Sequence, residues 1–254
     1  MGFLFILTAG FFAGILGYLT GLASLFSYPA LLALGVPAVY ANTTNTVALI
    51  GSGIGSIISN RKRLASYKSG YSKLLQVIVA SVAGFVGGAA LLYFDSSIFE
   101  GLVPWFVLAG TLMFMFSKRI HAYISSRQGR QQAPKLLYML ALFVVNVYCG
   151  YFGAGAGTIL LAVMTMMTDI NIHDGIALKA FLLFFANVTS SIVFIVQGTV
   201  IWRDAIAMGI GALLGGYAGP KVQRYISEKL MRILVIIGGF VLTGWLLWSF
   251  IASL

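Results

Sequence analysis

The chain has 254 residues, of which 60% are hydrophobic and only 9% are charged, and its mean hydropathy is +0.98. Soluble globular domains carry about 25% charged residues, so this composition excludes a soluble enzyme, a disordered tail and a fibrous repeat. At about 20 residues per membrane-spanning helix with short connections, the length accommodates roughly eight to ten segments embedded in a lipid bilayer. The sequence therefore predicts an integral membrane protein.

Lysine and arginine number 16 against 6 aspartates and glutamates, which gives a formal net charge of +10. We assign this excess to loops that orient a membrane protein and not to a nucleic-acid-binding surface, because the basic residues lie mainly between long apolar runs. The single cysteine, Cys149, excludes an intrachain disulfide and a cysteine-rich metal site. No basic residue precedes the first apolar run, so a cleaved signal peptide is not expected.

Ten apolar stretches follow one another along the chain and predict an all-α membrane fold. They run roughly over residues 3–18, 24–35, 39–59, 71–94, 100–117, 135–149, 157–168, 173–197, 204–219 and 230–252. The strand-type alternation that a membrane barrel requires is absent from runs such as 230–237. The only long polar stretch, 118–134, is interpreted as a cytoplasmic linker between an N-terminal membrane repeat at 1–117 and a C-terminal membrane repeat at 135–254.

Charges in the connections predict the orientation of the segments. Basic residues cluster after the third, fifth and ninth segments, in the stretches 61–73, 118–135 and 221–232. We expect these stretches on the cytoplasmic side. The connection after the fourth segment carries Asp95 and Glu100 without a base, and the one after the eighth pairs Arg203 with Asp204, so both are expected outside. The prediction is a multi-pass protein of the inner (cytoplasmic) membrane, with both termini outside and two halves of opposite orientation.

Glycine-rich interruptions recur in the two halves. The stretches 17–24 and 150–158 each precede a short apolar run, and the stretches 84–88 and 211–216 each lie within the fourth segment of a half. The offset between the halves is 127 to 135 residues. Each pair of short segments, one with two and six with seven, forms either two tilted spans or one re-entrant hairpin. Inverted repeats with glycine-interrupted short segments at corresponding positions indicate a secondary transporter whose site lies between the repeats.

Three stretches carry a resemblance to a known family: the glycine-rich run 150–157, the series 29–45, and the series from 187 to 202. They resemble the TauE/SafE sulfite-exporter family, also called the four-toluene-sulfonate uptake permease superfamily, over nearly the whole chain. The resemblance implies a membrane permease of two related halves that moves small sulfur-containing or organic anions such as sulfite, thiosulfate, sulfoacetate or other sulfonates. The first-half turn departs from the family pattern at Leu22 and Ala23, where glycine is more common.

The two interruptions are predicted to form an anion site. The residues assigned to it are Thr20, Gly21 and Ser24 in the first half and Gly153, Gly155, Gly157 and Thr158 in the second. Glycines there relax the helix and leave backbone N–H groups unobstructed, and the helices that restart nearby direct their positive ends at the break. Two such ends facing each other bind an anion. The alternative is that the glycines only permit close helix packing.

Lys179 is the only basic residue well inside an apolar segment, and an intramembrane charge is a functional hypothesis by default. Its ammonium could pair with an oxyanion. The alternative is snorkelling, because Lys179 lies only about two turns from the start of its helix near His173.

Uncharged hydrogen-bond donors complete the predicted site. Thr43, Thr44 and Asn45 lie at the start of the third segment, and Asn187 lies in the eighth. Such donors suit sulfite or a sulfonate because they bind oxygens without a permanent ion pair. The alternative is interhelical hydrogen bonding, worth about 0.6 kcal/mol for each bond.

The function predicted from the sequence is a secondary transporter, an exporter of small sulfur-containing oxyanions such as sulfite, that works by alternating access with the anion between the two helix breaks. The alternatives are a passive anion channel or an uptake permease for thiosulfate, sulfonates or another organic anion. An enzyme is not expected, and neither is a cofactor, a bound metal or a nucleic-acid partner, because the few acids and histidines lie mostly in loops. No nucleotide-binding loop motif occurs. The apolar surface is compatible with a homo-oligomer.

Overall fold

A computed structural model describes residues 2–67, 71–125, 133–222 and 228–252, and within these ranges the chain forms ten α-helices and no strand. The helices are α1 (Gly2–Thr20), α2 (Ser24–Leu32), α3 (Ala38–Ser66), α4 (Lys73–Tyr93), α5 (Ser96–Ser125), α6 (Lys135–Tyr151), α7 (Ala156–Met167), α8 (Ile172–Val196), α9 (Trp202–Val222) and α10 (Glu228–Ala252). Each of the ten apolar stretches corresponds to one helix, and the predicted all-α class is confirmed.

Two helices extend past their apolar runs. α3 continues through its basic residues to Ser66, and α5 continues to Ser125, inside the stretch interpreted as the linker. The apolar pattern ends where the chain becomes polar, whereas backbone hydrogen bonding continues into the polar region. Residues 126–132, most of the second half of the 118–134 stretch, lie outside the described part of the chain.

Length and hydropathy make four of the described helices able to cross a membrane. They are α1, α4, α8 and the 96–116 part of α5, and three shorter apolar helical segments lie at 135–151, 156–167 and 236–248. Large apolar side chains such as Leu4, Leu74 and Val196 are more than 60% exposed, as expected for side chains that contact lipid. α3 is not among the four because it carries a buried polar series that begins at Asn42.

Helices α1–α5 pack mainly on helices α6–α10. α1 lies along α9 and α6 lies along α4, while α3 contacts both α8 and α9. Glycines permit this closeness: a Cβ atom on Gly14 would collide with the backbone of Ala212, and one on Gly150 would collide with Gly84. Small residues at such contacts let membrane helices approach closely. The two groups of helices therefore form one interlocked body.

α3 and α8 run antiparallel through the middle of the molecule. At one end, the guanidinium of Arg63 lies 3.8 Å from the carboxylate of Asp174, in the first turn of α8. At the other end, the Thr43 hydroxyl donates to the Thr199 carbonyl at 2.6 Å. Contacts at both ends fix the opposite directions of these helices.

The connection between α4 and α5 is short and exposed. The backbone N–H of Ser97 donates to Oδ1 of Asp95 at 2.9 Å. Hydrogen bonds from the backbone and the side chain of Ser97 lower the pKa of the Asp95 carboxyl. An ionised carboxylate at this position caps the start of α5.

Candidate functional site

The first helix interruption lies between α1 and α2. Gly21 has a φ of +80°, a left-handed conformation that L side chains rarely adopt. Thr20 stabilises the turn: its hydroxyl donates to the Leu16 carbonyl at 2.7 Å and accepts from the Leu22 N–H at 3.2 Å. The chain then enters α2 at Ser24.

The second interruption lies between α6 and α7. Gly153 and Gly155 have φ angles of +78° and +80°. The Tyr148 hydroxyl donates to the Ala154 carbonyl at 2.6 Å and so holds the turn against the end of α6. α7 then begins at Ala156.

The two interruptions touch each other. A Cβ atom on Gly21 would lie 2.5 Å from both the carbonyl carbon of Gly157 and the backbone nitrogen of Thr158, so only glycine fits at this crossing. The Thr158 hydroxyl donates to the Thr20 carbonyl at 2.6 Å. The N-terminus of α7 is therefore packed directly on the turn that precedes α2.

Two buried polar side chains, one on α3 and one on α8, form hydrogen bonds to the first interruption and to the end of α1. Asn45 on α3 donates from Nδ2 to Oγ of Ser24 at 3.1 Å. Lys179 on α8 donates from Nζ to the Tyr18 carbonyl at 2.9 Å and is completely buried. Because its ammonium ends inside the molecule, the side chain does not snorkel to an interface.

A cavity of about 60 Å³ lies between the interruptions, α3 and α8. Of the twelve residues that the sequence assigns to the anion site, five line it: Gly21, Ser24, Gly153, Gly157 and Asn187. Its other polar lining groups are Tyr18, Thr46, Ser52, Ser56 and Cys149. The lining contains no charged side chain. Nor does the described part of the chain hold a group of three or more His, Cys, Asp and Glu residues placed to bind a metal ion.

The other seven assigned residues lie near the cavity but do not line it. Thr20, Gly155 and Thr158 form the interruptions, and Asn45 and Lys179 bond to the first interruption and to the end of α1, as described above. Thr43 and Thr44 lie near the N-terminus of α3, where the hydroxyl of Thr44 accepts from the Ile201 N–H at 3.0 Å. These two threonines fasten α3 to the segment that follows α8.

Sequence reasoning missed three hydroxyl residues that α3 contributes to the lining, Thr46, Ser52 and Ser56. Ser52 and Ser56 lie four positions apart on one face of α3. The lining residue Leu49, three positions from both Thr46 and Ser52, connects Thr46 to that face. Asn60 extends this face and accepts from the Tyr18 hydroxyl at 3.2 Å. The polar periodicity of α3 was the available signal, beyond the compact cluster at 42–45.

Ten of the nineteen lining residues form pairs at one constant spacing along the chain. Five pairs are each 134 positions apart: Tyr18 and Phe152, Ala23 and Gly157, Thr46 and Ala180, Leu49 and Leu183, Gly53 and Asn187. At the same spacing, Asn45 corresponds to Lys179. Both parts of the chain therefore contribute residues to the cavity at this spacing.

Comparisons with known proteins match membrane transporters over nearly the whole chain. The family model described as sulfite exporter TauE/SafE matches residues 6–246. A "probable membrane transporter protein" of Haemophilus influenzae is 27% identical over 237 residues, which cover 92% of this chain and 90% of the relative. YfcA of Escherichia coli K12 is 24% identical, with 93% of this chain and 86% of the relative covered. YunE of Bacillus subtilis is 25% identical, with 94% and 96% covered. Both are also named probable membrane transporter proteins.

Proposed function

The chain belongs to the sulfite exporter TauE/SafE family, and from this premise we propose that it exports a small sulfur-containing oxyanion such as sulfite across the cytoplasmic membrane. The observation that carries the proposal is the cavity at which the turn before α2 and the N-terminus of α7 meet. Its lining is neutral, and it offers several hydrogen-bond donors. A multi-pass membrane transporter of this family has the lipid bilayer and a small molecule as its partners.

The donors at the cavity suit an oxyanion. Several of the first N–H groups of α2 and α7 donate to carbonyls of the preceding turns, for example Leu25 to Leu22 and Thr158 to Gly155. The helix ends therefore act on an anion mainly through the dipole, which places about half a positive charge there. Ser24 lies at the start of α2 and accepts from Asn45, so its own hydroxyl hydrogen is left to donate to a guest oxygen. Asn187 adds a side-chain amide from α8. A carboxylate in the lining would repel an anion, and the lining has none.

The size of the cavity favours sulfite over larger sulfonates. Its volume of about 60 Å³ is several times the 10–15 Å³ that one water molecule requires on the same scale. A compact ion of a few atoms fits this space, whereas an aromatic sulfonate requires a wider one.

We further propose that the two halves are inverted repeats and that they work by alternating access. The constant spacing of 134 positions around the cavity and the antiparallel course of α3 and α8 support this proposal. The bonds of Thr43 and Thr44 to the 199–201 segment close one end. The lining continues along α3 to Ser56, towards its basic end. On the predicted topology, the end of the cavity near Thr43 and Thr44 faces outside. We therefore assign this structure to a conformation that is closed to the outside.

Counterflow of labelled sulfite in proteoliposomes tests the proposal, with thiosulfate, sulfonates, sulfate and chloride as competitors. We expect saturable exchange that Ser24→Ala lowers about tenfold or more, because a hydrogen bond to a charged group contributes about 1.5–3 kcal/mol. Ser97→Ala, at an exposed serine, is the matched control. Folded protein that moves no sulfur oxyanion would refute the substrate, and linear, unsaturable flux would indicate a passive channel. Full exchange by Ser24→Ala would remove Ser24 from the site.

A further inference from the structure

We infer that the C-terminal end of α1 is a monovalent-cation site which the chain fills with its own ammonium, that of Lys179. In consequence, transport requires no free inorganic cation at this position. The consequence for transport rests on the proposed function, whereas the cation site itself is testable without any substrate.

The end of α1 is an acceptor surface. The last carbonyl groups of a helix lack intrahelical donors, and the helix dipole places about half a negative charge there. At α1, the Thr20 carbonyl accepts from the Thr158 hydroxyl, and the Tyr18 carbonyl accepts from Nζ of Lys179 at 2.9 Å. Both donors come from the second half of the chain, and only the amine of Lys179 can carry a positive charge.

Such a helix end is a common position for a coupling ion. In transporters with discontinuous helices, carbonyl groups at the C-terminal ends of half-helices coordinate sodium or protons. Here α1 is the helix that ends at the interruption inside the molecule, and Gly21 terminates it. The ammonium of Lys179 already lies at hydrogen-bond distance from a carbonyl of this end, so it occupies the place of a free ion.

The other half shows that a simple tether would not need a charge. The end of α6 is closed by a neutral group, because Asn42 donates from Nδ2 to the Tyr151 carbonyl at 2.9 Å. At the 134-residue spacing, the counterpart of Lys179 is also neutral, namely Asn45. An amide is therefore sufficient to hold an interrupted helix in place. Tethering therefore does not explain why a lysine stands at the end of α1. Neutralising the partial negative charge of the helix dipole at that end does explain it.

Lys179 has no competing role in the described structure. It forms no ion pair with a carboxylate among the described residues, and it does not line the cavity, although its neighbour Ala180 does. Its Nζ bonds to the backbone carbonyl of Tyr18, a residue that lines the cavity. Lys179 is thus a positioning residue that stabilises the end of α1 and does not contact the anion.

The test is thermal unfolding of the purified full chain in detergent, in N-methylglucamine chloride, sodium chloride or methylammonium chloride. We expect the Tm of the wild type to be the same in all three. Lys179→Ala should unfold about 5 °C lower or more, since about 1 kcal/mol corresponds to roughly 2–4 °C in a chain of this size. Saturating sodium or methylammonium should recover about half of that loss. Lys135→Ala, at an exposed lysine, should show neither effect.

Two further variants separate charge from tethering and keep the proposal testable if Lys179→Ala does not fold. Lys179→Arg retains the cation, and Lys179→Gln retains only a donor. We expect the Tm and sulfite exchange of the arginine variant to approach those of the wild type, and the glutamine variant to lose several-fold in exchange. Wild-type exchange should be equal in sodium and N-methylglucamine. A glutamine variant equal to the wild type, or a sodium requirement in the wild type, would overturn the inference. Absence of sulfite transport with cation-rescued Lys179→Ala would refute only the substrate.

Discussion

At the scale of single residues, the contact between Gly21 and Gly157 determines how closely the two interruptions approach. Each glycine fills the place where the other would carry a side chain, since a Cβ on Gly157 would lie 2.5 Å from Cα of Gly21. No rotamer change relieves such a contact, because both partners are backbone atoms. One added methyl group therefore has to move a whole helix end.

Gly157→Ala should abolish most transport. We expect at least a tenfold loss of sulfite exchange and a Tm several degrees lower, because an overpacked contact costs about 1–3 kcal/mol and the N-terminus of α7 is displaced from the cavity. Gly244→Ala is the control, since a Cβ there meets nothing within 4 Å. Normal exchange by a folded Gly157→Ala variant would show that the crossing is not part of the transport site.

At the scale of helices, hydrogen bonds fix the N-terminal part of α3, which we propose closes the cavity on one side. Thr43 and Thr44 each bond to the segment after α8. Phe152, from the second interruption, is part of the lining and packs on an aromatic cluster with Tyr28, Phe99 and Phe106. Hydrogen bonds and aromatic packing together fix this end.

The double substitution Thr43→Val and Thr44→Val should loosen that closure while it preserves side-chain shape. Cys149 is the only cysteine, is buried and lines the cavity, so it reports access. We expect a membrane-impermeant thiol reagent to label Cys149 several-fold faster from outside than in the wild type. Thr8→Val, at an exposed threonine, should label at the wild-type rate. Equal labelling of the double variant would show that these bonds do not control access.

The sequence predicted the positions of the helices, but it did not predict which helices pack on one another. Apolar runs located all ten helices because hydropathy is a local property, although α3 and α5 extended into polar sequence. The sequence also indicated that Lys179 was exceptional, but its acceptor, the Tyr18 carbonyl, lies 161 positions away. Contacts at such separation depend on how whole helices pack. Local patterns do not encode such contacts. The cavity wall from Thr46 to Ser56 is different, because the polar periodicity of α3 indicated it and the prediction did not use that signal.

At the scale of the whole molecule, the halves depend on each other for burial. α1 packs on α9 and α6 packs on α4, so the buried face of each half is completed by the other. Close backbone contacts at Gly14 and Gly150 lie in these interfaces. Each of the two larger clusters of buried apolar side chains includes residues of both halves, since Phe152 joins the cluster around Tyr28 and Ala80 joins the one around Leu142.

We therefore expect neither half to fold alone. Chains comprising residues 1–125 and 133–254, expressed separately, should be degraded or aggregated, whereas co-expression should restore a single species. Size-exclusion chromatography in detergent measures whether the halves form one folded species, and sulfite counterflow measures whether that species transports. The uncut chain is the reference for both. A monodisperse, helical half-protein would contradict the interdependence that the packing indicates.

The unequal ends of α1 and α6 have an energetic consequence. In a carrier built from two identical inverted halves, the states that face the two sides of the membrane would be structural equivalents with the same free energy. A lysine at one helix end and an asparagine at the other remove that degeneracy. On the proposed alternating-access mechanism, the empty carrier then has a preferred resting orientation in the absence of any gradient, and the difference between these two side chains contributes to it.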